Sequence, residues 1–167
     1  MAAARKANVN KLERRQRVRA SVMMQLEANP ELKRAYRKLV KNLPAEQQAI
    51  TEFLQKYPES VENLAVRLQT FVRDTLPDAR EALDRSSSVI GYSYGSGYAG
   101  LVCTIIMSQG GVKLGIVGSA NLPDPTHLLE GAGKRHRYIN FIEMVDFHRP
   151  GIRDLLQAAS TRCRSKS

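Results

Sequence analysis

A change in hydrophobic periodicity at residues 86–88, three consecutive serines, constrains this fold more than any other feature of the sequence. Before these serines, apolar residues recur at the three- and four-residue spacing of amphipathic helices. After them, short runs rich in β-branched and aromatic residues are separated by glycine-containing turns. Helices followed by antiparallel strands and a last helix are typical of an α+β fold. We therefore predict a small antiparallel β-sheet packed against helices, with a helical N-terminal extension.

The same patterns predict the individual elements. Helices are expected over residues 11–27, 31–41, 45–56, 61–75, 78–85 and 148–160. Strands are expected over residues 89–94, 101–107, 112–117 and 138–143. The second and third strands should form a hairpin through a turn at Gly110 and Gly111.

The positive charge of the chain is concentrated near its N-terminus. The formal net charge of the 167 residues is +10, and residues 1–44 hold 12 Lys and Arg against 3 Glu. Residues 45–167 are almost neutral, with 14 basic residues against 13 acidic ones. This asymmetry predicts three regions: a basic helical extension over 1–55, an α+β domain over 56–160, and a basic tail over 161–167.

The basic helices of the extension have three interpretations. A solvated face on an amphipathic helical pair is the simplest, and we favour it. A membrane-surface or organelle-targeting segment is another. Association with nucleic acid through counterion release is the third. The residues that would contact nucleic acid are Arg14, Arg15, Arg17, Arg19, Lys33, Arg34, Arg37 and Lys38.

Several classes of protein do not fit this composition. No apolar run reaches the ~18 residues of a membrane-spanning helix, and no signal-peptide core follows the first residues. The two cysteines suit a reducing compartment, so we expect a cytoplasmic protein. The three histidines are dispersed, and no nucleophile, base and acid are arranged for catalysis. We therefore expect a non-enzymatic protein without a metal site or cofactor.

A glycine-rich basic segment is the best candidate for a binding site. It contains Gly131, Gly133, Lys134, Arg135 and Arg137. It is not a nucleotide-hydrolysing phosphate loop, because that loop needs a glycine at position 128 and Ser or Thr at position 135. Cations beside flexible glycines suit a small anion or an acidic partner. In the alternative, the glycines only form a turn, and Arg137 pairs with an acid such as Asp124 or Glu130.

Two tyrosines extend the candidate site. Tyr92 and Tyr94 are two residues apart on a predicted strand, so they share a face of the sheet. They could stack on a planar ligand. Half-buried packing, with the hydroxyl at the rim, is the commoner role of such tyrosines.

Part of the chain resembles a known family. The segments that carry the resemblance are LPDARE at 76–81, the Tyr- and Gly-rich stretch at 92–98, LPDP at 122–125, and LEGAGKRHRYI at 129–139. In this order they resemble the YdhG-like family, the domain of unknown function 1801, over about residues 56–160. The resemblance implies a compact α+β domain with a small antiparallel sheet, and it implies no particular reaction.

Some members of that family are described as frataxin-like intracellular iron chaperones. The resemblance therefore suggests iron handling as an alternative function, which needs carboxylates grouped on one surface. Arginines at 73, 80 and 85 interrupt the one ridge that the sequence offers. The acidic residues of this ridge are Asp74, Asp78, Glu81 and Asp84.

Overall fold

The computed structural model describes residues 29–133 and 135–165, with the backbone alone at positions 32, 33, 36, 37, 39 and 40. The predicted helix over 11–27 lies outside the described residues. The chain divides into two compact units, one that ends at Gln48 and one that starts at Ala49.

The described part of the first unit is mainly helix α1, Pro30–Lys41. Asn29 precedes it, and the Asn29 Oδ1 atom accepts a hydrogen bond from the Glu31 amide at 3.0 Å. Proline suits the first helical turn because it lacks the amide hydrogen that this turn leaves unpaired. The helix predicted over 31–41 is thus confirmed. Helix α2, Ala45–Leu54, follows and contributes Ile50, Phe53 and Leu54 to the core of the second unit.

The second unit is a five-stranded antiparallel sheet with helices, which confirms the α+β fold. The strands lie side by side in chain order. The elements are α3 (Glu59–Thr75), β1 (Arg80–Asp84), β2 (Val89–Ser93), β3 (Leu101–Ser108), β4 (Gly111–Val117), β5 (His136–Phe141) and α4 (Ile152–Arg164). Short 3-10 turns lie at Ser119–Asn121 and Met144–His148. None of the helices that the structure describes is long and apolar enough to cross a membrane.

The core lies between one face of the sheet and helices α3 and α4. Both helices contact β3 and β4, and they contact each other, so they cover the same face. Side chains alternate along a strand, and the set that points to the helices is buried. This set includes Ile90, Tyr92, Cys103, Ile105, Leu114, Ile116, Ile139 and Phe141. The helices bury their own apolar stripes against it, among them Leu64, Leu68, Val72, Ile152, Leu155, Leu156 and Ala159.

The prediction of a helix over residues 78–85 is wrong. This segment is strand β1, and its Glu81 and Leu83 pair with Tyr92 and Ile90 of β2. Its residues have good helix propensity, which is a weak preference that tertiary contacts override. Here Leu83 packs against the core, and the Glu81 carboxylate accepts hydrogen bonds from α3 and β2. Only an extended backbone brings both side chains to the covered face.

Strand β5 is displaced toward the N-terminus relative to its predicted range of 138–143. It begins at His136, which pairs with Val117 of β4. It ends at Phe141 because the amides of the next two residues, Ile142 and Glu143, donate hydrogen bonds of 2.7 and 2.9 Å to the Asp146 Oδ2 atom instead of to a strand. The predicted hairpin between β3 and β4 forms, with Gly111 already paired to Ser108 as part of β4.

Helix α4 also differs from its predicted range of 148–160. A 3-10 turn occupies Met144–His148, and Gly151, with φ of 92°, precedes the helix. The helix continues to Arg164 and buries Cys163. Residues 161–164, assigned to a basic tail from the sequence, therefore belong to the helix.

Candidate functional site

The two glycines of the predicted site form a tight turn. Glu130 and Tyr138 exchange backbone hydrogen bonds of 2.8 and 3.0 Å, and this bridge closes the loop between them. Gly131 has φ of 95°, a conformation that side chains disfavour. A Cβ atom at Gly133 would clash with the carbonyl oxygen of His136. The glycines are thus needed for the path of the backbone. Lys134 lies outside the described residues.

Arg137 does not form the ion pair that the alternative interpretation requires. Its Nε atom is buried and has no hydrogen-bond partner among the described residues. The two acids proposed as partners have other contacts. The Asp124 carboxylate accepts hydrogen bonds from the backbone amides of Leu128 and Leu129. The Glu130 Oε2 atom accepts a hydrogen bond from the side-chain amide of Asn140. The turn interpretation of the glycines is therefore supported, and an internal ion pair of Arg137 is not seen.

Tyr92 is an internal residue. It is 0% exposed, and its hydroxyl donates a hydrogen bond of 2.5 Å to Glu81 Oε1. Burial raises the pKa of Tyr92 well above its ordinary value, and the neighbouring Glu81 carboxylate raises it further. Such a side chain offers no face to a ligand. The structure does not bring Tyr92 to the loop that carries Arg135.

Tyr94 packs against the C-terminal helix. Ser160 of α4 donates a hydrogen bond of 3.2 Å to the Tyr94 hydroxyl. The guanidinium carbon of Arg164 lies 4.1 Å from the centre of its ring. Because a cation already covers this ring, Tyr94 acts as a packing residue at the edge of the core.

Arg135 lies elsewhere, in a cleft at one end of the sheet. The start of β3, the end of β4 and the residue before β5 meet there, beside the last turns of α4. The cleft has a volume of about 310 Å³. We call it the Arg135–Arg162 cleft, and its lining comprises Tyr98, Ala99, Leu101, Val117, Gly118, Arg135, Ala159, Arg162 and Cys163.

The backbone at Gly118 holds Arg162 in the cleft. The Arg162 Nη1 atom donates a hydrogen bond to the carbonyl oxygen of Gly118. Gly118 has φ of 68°, and a Cβ atom there would lie 2.8 Å from Arg162 Nη1. The amide of Gly118 donates to the carbonyl oxygen of Arg135 at 2.7 Å. One glycine thus joins the two segments that carry the arginines.

The rim of the cleft carries an aromatic pair. Tyr98 is 53% exposed, and its hydroxyl is hydrogen-bonded to His136 Nε2 at 2.7 Å. The two rings meet edge to face, with centroids 5.4 Å apart. Tyr98 therefore adds a hydroxyl to the lining of an otherwise apolar and cationic cleft, and His136 holds this hydroxyl in place.

Arg162 and Tyr98 are the site residues that sequence reasoning missed. The helix predicted from the sequence ends at residue 160, which places Arg162 in the basic tail. The apolar spacing of Leu155, Ala159 and Cys163 continues the helical period to 163, and this pattern would have placed Arg162 on the helix. No local pattern places Tyr98 beside His136, because the contact joins two distant loops.

The carboxylates considered for iron are engaged separately. Glu81 binds Arg73, and Asp78 lies 3.4 Å from Arg164. Asp84 Oδ1 accepts hydrogen bonds from Ser86 and Ser87, which lower the pKa of Asp84 to about 2. Among the described residues, no three His, Cys, Asp or Glu side chains are grouped for a metal ion. The structure thus assigns Asp78, Glu81 and Asp84 local structural contacts, while Asp74 lies exposed on α3.

Comparisons with protein-family models, curated proteins and solved structures give no match to this chain.

Proposed function

We propose that the α+β unit is a binding domain for a small anion with an apolar body, and that the anion occupies the Arg135–Arg162 cleft. One observation carries this proposal: two guanidinium groups line a cleft whose described lining contains no carboxylate. Guanidinium groups form short, charge-assisted hydrogen bonds with carboxylates and phosphates. An anion would therefore supply the charge that the described part of the cleft lacks.

The apolar part of the lining defines the rest of the ligand. The apolar residues that line the cleft include Leu101, Val117 and Ala159. Of the two arginines, Arg135 directly precedes β5 and Arg162 lies on α4. Binding pockets for small molecules combine such apolar walls with a few polar groups that fix orientation. A cleft of about 310 Å³ suits a ligand of few atoms, such as a short or aromatic carboxylate.

The cysteines support a cytoplasmic setting for this role. Cys103 and Cys163 are both buried, and they form no disulfide bond. Burial raises the pKa of the Cys103 thiol well above its ordinary value, so this thiol stays protonated and unreactive. Cysteines without disulfide bonds are typical of proteins in a reducing compartment. The resemblance to the YdhG-like family stays a prediction, and it names no ligand.

Calorimetric titration with paired ligands tests the proposal. We expect benzoate and hexanoate to bind the full chain, and the neutral benzamide and hexanamide not to bind. Arg135→Ala should weaken binding by about tenfold, the value of one charge-assisted hydrogen bond. Arg135→Lys, which keeps the charge, should lose less.

Arg80→Ala is the matched control, because it removes an exposed arginine from β1, away from the cleft. It should bind like the wild type. If neither anion binds, or if Arg80→Ala and Arg135→Ala weaken binding equally, the cleft is not the binding site. Added salt should weaken binding, since it screens the attraction between exposed charges.

A further inference from the structure

A second pocket lies at the opposite end of the sheet from the Arg135–Arg162 cleft. Its lining comes from the end of α2 and the turn after it, from the β1–β2 turn, and from the β3–β4 turn. Its volume is about 280 Å³. We call it the Lys56–Arg85 pocket, and it is lined by Phe53, Lys56, Tyr57, Arg85, Ser88 and Gln109.

The pocket presents two cations and no carboxylate among its described lining. Lys56 and Arg85 are both exposed, and neither forms an ion pair with another described residue. The Oδ1 atom of the neighbouring Asp84 accepts hydrogen bonds of 2.9 and 3.2 Å from the amides of Ser86 and Ser87. These hydrogen bonds stabilise the turn that carries Arg85.

An aromatic pair and two neutral polar groups complete the lining. The rings of Phe53 and Tyr57 meet edge to face with centroids 5.5 Å apart, and the buried Phe53 anchors the half-buried Tyr57. Ser88 has φ of 54°, a left-handed conformation that glycine or asparagine adopts with less strain. Ser88 supplies a hydroxyl to the lining from this strained position, and Gln109 supplies an amide.

We propose that this pocket binds a nucleoside monophosphate. Lys56 and Arg85 contact the phosphate oxygens, the ring of Tyr57 packs against the base, and Ser88 and Gln109 form hydrogen bonds with its polar edge. Cations combined with an aromatic surface are the usual means of binding nucleotide units without strict sequence preference. The pocket shares no residue with the Arg135–Arg162 cleft, so this inference does not depend on the function proposed for the cleft.

Titration calorimetry of the full chain with adenosine monophosphate tests the inference. Adenosine and ribose 5-phosphate, which each carry only part of the ligand, should each bind about tenfold more weakly. Lys56→Ala/Arg85→Ala should weaken binding of the nucleotide by at least about tenfold, because both phosphate contacts are lost. Arg80→Ala/Arg153→Ala removes the same charge from exposed positions on β1 and α4 that do not line the pocket, and it should bind like the wild type.

Substitutions of the ring separate a nucleotide site from a general anion site. Tyr57→Leu should weaken binding of adenosine monophosphate by about fivefold or more and leave ribose 5-phosphate unaffected. Tyr57→Phe keeps the ring and should bind within about twofold of the wild type, and unchanged binding of ribose 5-phosphate by Tyr57→Leu shows that this variant is folded.

Three outcomes would overturn the inference. One is the absence of binding by adenosine monophosphate at millimolar concentration. Another is equal affinity for ribose 5-phosphate and the nucleotide, which would show an anion site without base recognition. The last is loss of nucleotide binding in Arg135→Ala with retention in Lys56→Ala/Arg85→Ala, which would place the nucleotide in the cleft.

Discussion

At the scale of single residues, four polar groups meet where β1 lies against α3. The Glu81 carboxylate accepts hydrogen bonds from the Tyr92 hydroxyl at 2.5 Å, from Gln69 Nε2 at 3.2 Å, and from Arg73 Nε at 3.1 Å. The Glu81 side chain is only 12% exposed, while that of Arg73 is 49% exposed. The carboxylate therefore satisfies two buried polar groups, and its ion pair with Arg73 is partly screened by water.

We expect Glu81→Ala to lower the free energy of unfolding by about 2–3 kcal/mol, because it leaves the Tyr92 hydroxyl and the Gln69 amide buried without partners. Urea denaturation measures the change. Asp74→Ala is the matched control, since Asp74 is an exposed acid on α3, and its effect should stay within about 0.5 kcal/mol. Equal effects of the two substitutions would contradict the role assigned to Glu81.

The structure places the predicted site residues in different surroundings. The sequence leaves a binding role and a turn open for Gly131 and Gly133, of which the structure shows the turn, and it selects Arg135, which lines a cleft. It also selects Tyr92 and Tyr94, which the structure buries or covers. Strand periodicity predicts which residues share a face of the sheet, but it does not predict whether helices cover that face.

At the scale of elements, the two ends of β5 are set by contacts outside the strand. Its start depends on the turn at Gly133 and on the bridge between Glu130 and Tyr138. Its end depends on Asp146, whose carboxylate accepts two amides and lies 3.8 Å from Arg149. Partial burial opposes ionisation of Asp146, but the hydrogen bonds and Arg149 outweigh it and lower the pKa of this group below 3.8.

This lowered pKa predicts how Asp146 contributes to stability as the pH changes. A carboxylate with a native pKa below its unfolded value stabilises the fold fully above the unfolded value, near 3.8 here, and loses this effect as the pH falls through the native pKa. We therefore expect Asp146→Asn to lower the free energy of unfolding by about 1–2 kcal/mol at pH 7.

The difference between Asp146→Asn and the wild type should shrink as the pH falls below 3.8. Urea denaturation at a series of pH values measures it. Asp74→Asn serves as the exposed reference for the loss of one negative charge. A difference that is the same at every pH would show that the charge of Asp146 contributes nothing.

Local sequence predicts elements well where one periodicity dominates. Helix α3, β3 and β4 agree with the predicted ranges within two residues at each end. The composition of strand β1 favours a helix, and its pairing with β2 is a tertiary contact that periodicity over five residues does not reveal.

At the scale of the whole molecule, the second unit has a hydrophobic core of its own. Among the residues whose side chains the structure describes, every buried apolar one lies between Ile50 and Cys163. The sequence placed the domain boundary between residues 55 and 56, and this boundary would remove Ile50, Phe53 and Leu54 of α2 from the core. The structural boundary after Gln48 keeps them.

We expect a chain of residues 45–167 to unfold cooperatively with a midpoint within about 4 °C of the full chain. A chain of residues 57–167 should be at least about 4 kcal/mol less stable, because three buried apolar side chains are lost with α2. Thermal and urea unfolding followed by circular dichroism compare the three chains. An unfolded 45–167 chain would show that residues 1–44 are needed for the fold.

The sequence by itself determined the α+β class, most helices and strands, the glycine turn and the concentration of positive charge in residues 1–44. These features follow from periodicity, turn chemistry and charge, which are local properties of the chain. Only the tertiary structure decided that β1 is a strand, that Tyr92 is internal, and that Arg162 of α4 lies in the same cleft as Arg135. These outcomes depend on which distant segments pack together. Burial and hydrogen bonding between such segments outweigh the weak local preferences of each one.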